Sequence, residues 1–309
     1  MCMHIEKIKI KSVVIACCTY KRPEKLNRLL KSLCNINFPY VPTKILIVDN
    51  DKEQSAKNIV EKFQDILNIQ YVVEEEKGLS NVRNRAIKEA KQLNATHLAF
   101  IDDDEIADVN WLVNHIEFYE KFDGIYISSG PTYKKFENNK PDYIVNNRIF
   151  KVSSRKILGT LKKTCASGNV FFPLNHEIYF SKDFNFSGGE DTDFFSRMNN
   201  AGFKIGWNIN AVNYEIVSDE RANLKWILKR AYNNGIIKGF MKIKHKNLIK
   251  RFLYLFEISF IIAGNFILSV ICFLQGLTVG INQFTKLVNS IGKFKGLTLK
   301  NIDNSLYGE

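Results

Sequence analysis

The N-terminal third of the chain repeats one pattern, a short apolar run followed by a stretch of helical period, and that repetition limits the possible folds. Val13-Val14-Ile15-Ala16 is the first run; Pro23 then opens an amphipathic stretch with Leu26, Leu29, Leu30 and Leu33 at helical spacing. Ile45-Leu46-Ile47-Val48 is the second, followed by Ile59, Val60 and Phe63 on one helical face. A third strand is predicted over 69–73, leading through Gly78 into a helix over 81–93, and a fourth, 97–101, runs straight into an acidic cluster. Continuous apolar strands are buried on both faces, so the pattern predicts a mainly parallel α/β sheet with flanking helices. Ligands of such sheets bind beyond the carboxyl ends of the strands. Thr19, Asp49 and Asp102 all fall there.

The second half is less regular. Residues 133–155 are polar and read as loop, 165–172 as a strand, 190–201 as a helix, and 223–239 as a basic helix. No internal repeat or low-complexity tract is present. The apolar fraction of 45% suits a globular chain rather than a disordered one. The six cysteines (Cys2, Cys17, Cys18, Cys34, Cys165, Cys272) show no C-x-x-C spacing, which points to a reducing compartment and not a disulfide scaffold. Residues 1–11 alternate lysine with isoleucine and lack the apolar centre of a signal peptide, so no export of the N-terminal part is expected.

Three acidic or basic constellations stand at predicted strand and helix ends. Asp102-Asp103-Asp104, with Glu105 next, follows the buried run Leu98-Ala99-Phe100-Ile101. Adjacent carboxylates repel and lose solvation there, and a hard divalent cation such as Mg²⁺ or Mn²⁺ would relieve this while sharing its shell with phosphates. The other reading of the triplet is a solvated turn capping the next helix. Gly188-Gly189-Glu190-Asp191 enters a helix and reads either as an acidic N-cap or as a general base. Lys77 to Arg85 places Gly78 before a helix whose first N–H groups face an anion, with Arg83 or Arg85 at hand for phosphate; a helix start with surface arginines reads equally well.

Taken in order, Thr19-Tyr20-Lys21-Arg22-Pro23, Val48-Asp49-Asn50, Gly78 to Arg85, the triple aspartate and Gly189-Glu190-Asp191 resemble the family 2 glycosyltransferases of GT-A fold, over residues 12–235. The resemblance implies a Rossmann-like catalytic domain at 1–220, its nucleotide-binding half near 12–105 and its acceptor half near 106–220. It implies that Thr19, Tyr20, Arg22, Asp49, Gly78, Arg83, Asp102 and Asp103 bind the nucleotide-sugar, a UDP-sugar being the expected donor, with Asp49 reading the base edge. Asp104, with Asp102, would hold Mn²⁺ or Mg²⁺. Asp191, with Glu190 beside it, would be the base of an inverting transfer to a hydroxyl. Many relatives carry a histidine after the Glu-Asp helix; here none lies between His176 and His245, and Asn213, Tyr214 and Glu215 stand in its place. Glu215 is the candidate to fill that role. Arg221, in Ser218-Asp219-Glu220-Arg221, reads as a phosphate contact or a helix-entry charge.

The net charge of +12 is concentrated at one end. Residues 221–300 hold fourteen Lys/Arg against one acid, Glu257, so the rest of the chain is close to neutral. A nucleic-acid-binding body would spread its basic surface, so no nucleic-acid partner is expected. The same region, 221–309, contains the uncharged stretch 258–285, flanked by Lys246, Lys250 and Arg251 before and Lys286, Lys293 and Lys295 after. Basic flanks on both sides fit a re-entrant hairpin or interfacial helices better than one span. A buried helical pair is the alternative. The expected place is the cytoplasmic side of a membrane, held through 252–285, with a glycan or polyprenyl-lipid-linked acceptor. Acceptor contacts are expected in 130–155 and around Ser167-Gly168-Asn169. Two other classes compete with this reading: a sugar-phosphate nucleotidyltransferase, against which Cys17-Cys18-Thr19-Tyr20 stands where a glycine-rich basic loop belongs, and a non-catalytic membrane-attached nucleotide-sugar-binding protein, against which every acid is retained.

Overall fold

The computed structural model describes residues 7–152, 157–244 and 246–299. Of the positions singled out above, 1–6, 153–155, His245 and Lys300 lie outside the described residues. The chain divides into two compact units: Met1–Tyr133, Val152–Asn185 and Gly189–Glu215 form one, and Lys134–Lys151, Phe186–Gly188 and Ile216–Glu309 the other.

In the first unit the alternation seen in the sequence is realised element by element. The order is β1 (Val13–Thr19), α1 (Pro23–Leu33), β2 (Thr43–Asp49), α2 (Lys57–Glu61), β3 (Ile69–Val73), α3 (Leu79–Gln92) and β4 (His97–Ile101). These strands are parallel, in the spatial order β3-β2-β1-β4. Successive residues of each strand point to opposite faces, so two cores form. Val13, Ile15, Ile45, Ile47 and Ala99 pack with Leu26, Leu29, Leu30 and Leu33 of α1. Val14, Ala16, Leu46, Val48 and Leu98 pack on the other side with Val82, Ala86, Ile87 and Ala90 of α3. The four α1 leucines are fully buried, each stabilising the fold by roughly 2 kcal/mol.

Beyond β4 come β5 (Glu105–Ala107), α4 (Trp111–Lys121), β6 (Ile127–Ser129), β7 (Thr132–Phe136), α5 (Asp142–Val145), β8 (Leu161–Lys162), β9 (Asn169–Pro173), α6 (Glu190–Asn200), β10 (Ile205–Trp207) and β11 (Asn213–Val217). The main sheet continues as β4-β9-β6-β10-β8. Here β9 runs antiparallel to both β4 and β6, and β8 antiparallel to β10, so the sheet is mixed. The expected loop over 133–155 is corrected: it contains β7 and α5, five and four residues long, too short to leave a period in the sequence.

The second unit is dominated by α7 (Leu224–Ile243), α8 (Leu248–Leu274) and α9 (Leu277–Thr298). α7 and α9 meet along a glycine seam. A Cβ on Gly235 would lie 2.2 Å from the Asn289 carbonyl oxygen, and one on Gly296 2.1 Å from that of Ile236, so only glycine permits this approach. α8 is different: it is long and apolar enough to cross a membrane, with a mean hydropathy of 2.1 and only 11% of its apolar window buried. Of the buried helical pair that was the alternative, α8 is mostly exposed, while the start of α9 is buried at Gly280, Ile281, Gln283 and Thr285.

Candidate active site

The carboxyl ends of β1 and β4 lie side by side because the two strands are parallel neighbours, and this brings Thr19 to the acidic cluster. The Thr19 hydroxyl donates to Asp103 Oδ2 at 2.8 Å, and Arg22 Nη1 donates to Oδ1 at 3.4 Å. Asp104 faces Lys25 Nζ at 3.5 Å and Arg22 at 4.0 Å. Lys25 was not singled out from the sequence; it sits one turn beyond Arg22 on α1, at the spacing that puts two side chains on one face. Tyr20, half-exposed on the same loop, lies beneath the Lys77 ammonium, 5.5 Å from its ring centre.

Arg83 joins the two acidic motifs. Its side chain is buried, and its guanidinium pairs closely with Glu190 and stands 3.6 Å from Asp102 Oδ1. Burial opposes its charge, but Glu190 and Asp102 outweigh that and hold it fully protonated. This pairing sets Glu190 and its neighbour Asp191, at the start of α6, next to the end of β4. Asp191 Oδ1 accepts the Thr192 N–H at 2.6 Å and the Thr192 hydroxyl at 3.2 Å. Arg85 turns away and pairs with Glu89 within α3.

Carboxylates outnumber cations here. Desolvation first, then repulsion by Asp104, Asp103 and Glu215, pushes the Asp102 pKa up to about 7 against the pull of Arg83. Burial raises Asp103 as well, opposed by Arg22, and raises Glu105 well above the carboxylate range, with Asp102 adding to it. Glu190 is raised by burial against the pull of Arg83, and its Oε2 has no hydrogen-bond partner among the described residues. The Asp102 side chain nevertheless keeps 45% of its surface, so it opens to a ligand.

Behind these acids lies a polar network that sequence reasoning missed. The antiparallel register Ile101↔Asn169 puts Gly168 against Asp102, where a Cβ would lie 2.6 Å from Asp102 Oδ2. Asn169 accepts from Trp111 Nε1 at 2.9 Å and from His115 Nε2 at 2.8 Å, and donates to the Pro131 and Ala211 carbonyls at 2.8 Å. Burial lowers the His115 pKa to about 4, so it is neutral, with Nδ1 accepting from Ser128. Asn213 donates to Glu105 Oε2 at 2.7 Å, and Glu105 in turn accepts the Asp102 N–H at 3.1 Å. In β11 Glu215 pairs in register with Glu105 and is 9% exposed, so the residue standing near the missing histidine faces the acidic cluster. Of the expected acceptor contacts Ser167-Gly168-Asn169, Gly168 and Asn169 underpin the acids.

At the end of β2, Asp49 is fully buried. Its carboxylate accepts the N–H groups of Asp51 (3.0 Å) and Ala56 (2.9 Å) and the Tyr71 hydroxyl (2.9 Å). It therefore organises the loop that follows, in which Asp51 Oδ2 and Ser55 Oγ are buried with no hydrogen-bond partner among the described residues. The expected anion site at the start of α3 is corrected. The N–H groups of Ser80 and Asn81 donate to Asn185 Oδ1 at 3.0 and 3.1 Å, that of Leu79 to the Asn185 carbonyl, and that of Gly78 to Asn50 Oδ1. A side-chain cap has taken the place of the anion. Gly78 itself adopts φ +134° at this joint.

Among the described residues no group of three or more His, Cys, Asp or Glu side chains closes on one point as a ready-made metal cage. The acids are strung out instead between the end of β4, the start of α6 and β11.

Comparison with known proteins places this geometry. The model of the family described as "Glycosyl transferase family 2" matches residues 12–180. The succinoglycan biosynthesis protein ExoM of Rhizobium meliloti is 30% identical over 234 residues, covering 73% of each chain. The chondroitin synthase of Escherichia coli is 28% identical over 62% of this chain, which spans only 32% of that protein's length. Among solved structures, S. aureus TarS 1-349 in complex with UDP-GlcNAc superposes with a TM-score of 0.54 at 17% identity, over 72% of this chain and 66% of that one. The mannosyltransferase PcManGT from Pyrobaculum calidifontis, in complex with GDP-Man and Mn²⁺, gives 0.57 at 16% identity, over 78% of this chain and 66% of that one. At such identities these structures share the fold.

Proposed function

The chain belongs to glycosyl transferase family 2, and on that premise we propose that it is an inverting transferase of surface polysaccharide or glycolipid synthesis, moving a sugar from a UDP-sugar to a hydroxyl of a glycan or lipid-linked acceptor. One observation carries the reading: Arg83 bridges Asp102 and Glu190, joining the two acidic motifs into a single cleft.

Each residue has a task in this reading. Thr19, Tyr20, Arg22 and the Asp49 loop bind the nucleotide; the unpartnered Asp51 Oδ2 and Ser55 Oγ offer an acceptor and a donor to a base edge. Arg83, Asp102 and Asp103 border the ribose and diphosphate. Asp191 takes the proton of the acceptor hydroxyl as its oxygen bonds to the sugar C1 and the C1–O bond to the diphosphate breaks, the nucleoside diphosphate leaving with the bond's electron pair. Attack opposite the leaving group inverts C1.

The donor set suits a divalent cation. Crowded carboxylates with raised pKa values outnumber the cations beside them, and a hard cation carried by a diphosphate needs only one or two carboxylates, with no closed cage. Asp104 and Asp102 would hold Mn²⁺ or Mg²⁺, which would neutralise charge on the departing diphosphate. The region 221–309, with its exposed apolar α8, would keep the catalytic domain at the cytoplasmic face of a membrane.

Two measurements test this. Thermal-shift screening of UDP- and GDP-sugars should give stabilisation by UDP-sugars that requires Mn²⁺; a GDP preference would overturn the donor assignment, and metal-independent binding the cation. Asp191→Asn should lower turnover by two orders of magnitude or more, on the order of a lost general base, with donor affinity retained. Full activity in that variant would remove Asp191 from the mechanism.

A further inference from the structure

The α7–α8–α9 unit combines an apolar helix with basic side chains placed along its whole length. α8 and α9 are antiparallel: Phe273 lies against Gly280, Asn265 hydrogen-bonds Gln283 and Ser290, and Arg251 donates to the Leu299 carbonyl. Lys286 is therefore level with Asn265, near the middle of α8, and Lys293 is level with Glu257 in its first half. If α8 crossed a bilayer with α9 beside it, these ammonium groups would sit at hydrocarbon depth, where they are strongly disfavoured. Yet Phe252, Phe256 and Phe260 recur every fourth residue of α8 at 60–70% exposure, and Phe266 and Leu274 continue the apolar surface. Length and hydropathy permit a span; the lysines of α9 argue for the other orientation, parallel to the surface.

A cleft of about 270 Å³ lies between the three helices, lined by Lys238, Lys242 and Lys293 and by the apolar Ile258, Ile261 and Leu297. Lys242 is satisfied by Glu257 at 3.1 Å and by the Tyr254 ring at 3.9 Å. Among the described residues Lys238 and Lys293 have no acidic partner. Desolvation, then repulsion by Lys293 and Arg148, lowers the Lys238 pKa. Two cations crowded above an apolar wall fit one kind of ligand: an anionic phosphate attached to a hydrocarbon chain.

We propose that the α7–α8–α9 unit seats in one leaflet of an anionic phospholipid bilayer, α8 lying in the membrane plane and the Lys238–Lys293 cleft holding a lipid phosphate. The proposal rests on the membrane reading given above and adds to it an orientation and a headgroup site. A leaflet is favoured over a second copy of the chain because the apolar surface is rimmed by excess positive charge, which self-association would set against itself and anionic headgroups would neutralise.

Flotation of the full-length protein with vesicles of zwitterionic lipid, with and without an added anionic glycerophospholipid, tests both parts. The parent chain should float with the anionic vesicles, and Lys238→Gln/Lys293→Gln should lose on the order of tenfold in affinity for them while keeping its circular dichroism and unfolding midpoint. Equal flotation of parent and variant would overturn the headgroup site with the membrane reading intact. Failure of the parent to bind either vesicle, with dimers in solution, would overturn the membrane reading as well. Added from outside to sealed vesicles, Gln275→Cys should gain labelling by an impermeant maleimide over the parent chain; no gain, with labelling restored when detergent opens the vesicles, would mean that α8 spans.

Discussion

At the residue scale the site turns on one buried arginine. Arg83 is the cation closest to Glu190 and Asp102, so replacing it leaves two carboxylates facing each other without compensation. Arg83→Met should destabilise the fold by about 3 kcal/mol, the order expected for breaking a buried pair from one side. Denaturant unfolding measures this, and a loss below about 1 kcal/mol would show that the carboxylates simply take up protons. Asp102 carries a pH consequence. Its folded pKa of about 7 lies above the ordinary carboxylate value, so its contribution to stability is fully present below about pH 4 and fades as pH rises to about 7. A cation needs the ionised form, so Mn²⁺-supported nucleotide binding should strengthen from pH 5 to about 7 with proton release, and then level off. Calorimetry in buffers of different ionisation enthalpy counts the proton; a flat profile would mean that Asp102 does not titrate with the ligand. The triplet was legible because it ends an apolar strand. Lys25 was harder to find, being one helical turn from a motif; Glu215 stood out only as the residue in the histidine's place, and its neighbour Glu105 is set by strand pairing.

At the element scale, the strands and helices of the N-terminal third were legible because burial on one or both faces leaves a period, while α4 was not read and β5, β6, β8 and β10, two or three residues each, leave none. A strand at β9 was expected over 165–172, but its antiparallel insertion was not, and with it went the Asn169 and Asn213 network, whose partners are brought together by register alone. The entry to α3 shows a local signal read for the wrong partner. Glycine was needed, as its position suggested, but its neighbours' N–H groups are capped by Asn185. Gly78→Ala would impose φ +134° on an alanine and press its Cβ to within 2.5 Å of Asn185 Cγ, displacing the cap. A loss on the order of 2–3 kcal/mol is expected, in stability more than in chemistry. An unchanged melting temperature would show that the joint relaxes freely.

At the scale of the whole molecule, charge and hydropathy are separated from the reaction. The catalytic motifs lie in a part of the chain that is close to neutral, while residues 221–300 carry fourteen cations and the exposed α8. Such a division predicts that salt acts on location and not on chemistry, since screening weakens attraction of basic segments to an anionic surface and leaves buried pairs little affected. With an acceptor embedded in anionic vesicles, raising ionic strength from about 0.05 to 0.5 M should raise the apparent KM for acceptor several-fold as the enzyme leaves the surface. The KM for the donor and turnover on a water-soluble acceptor should hardly move. Parallel salt titrations on the two acceptors separate these outcomes. Equal inhibition on both would place the salt-sensitive contacts in the nucleotide cleft, at Arg22 and Lys25, and would leave the basic C-terminal region without a part in delivering the acceptor.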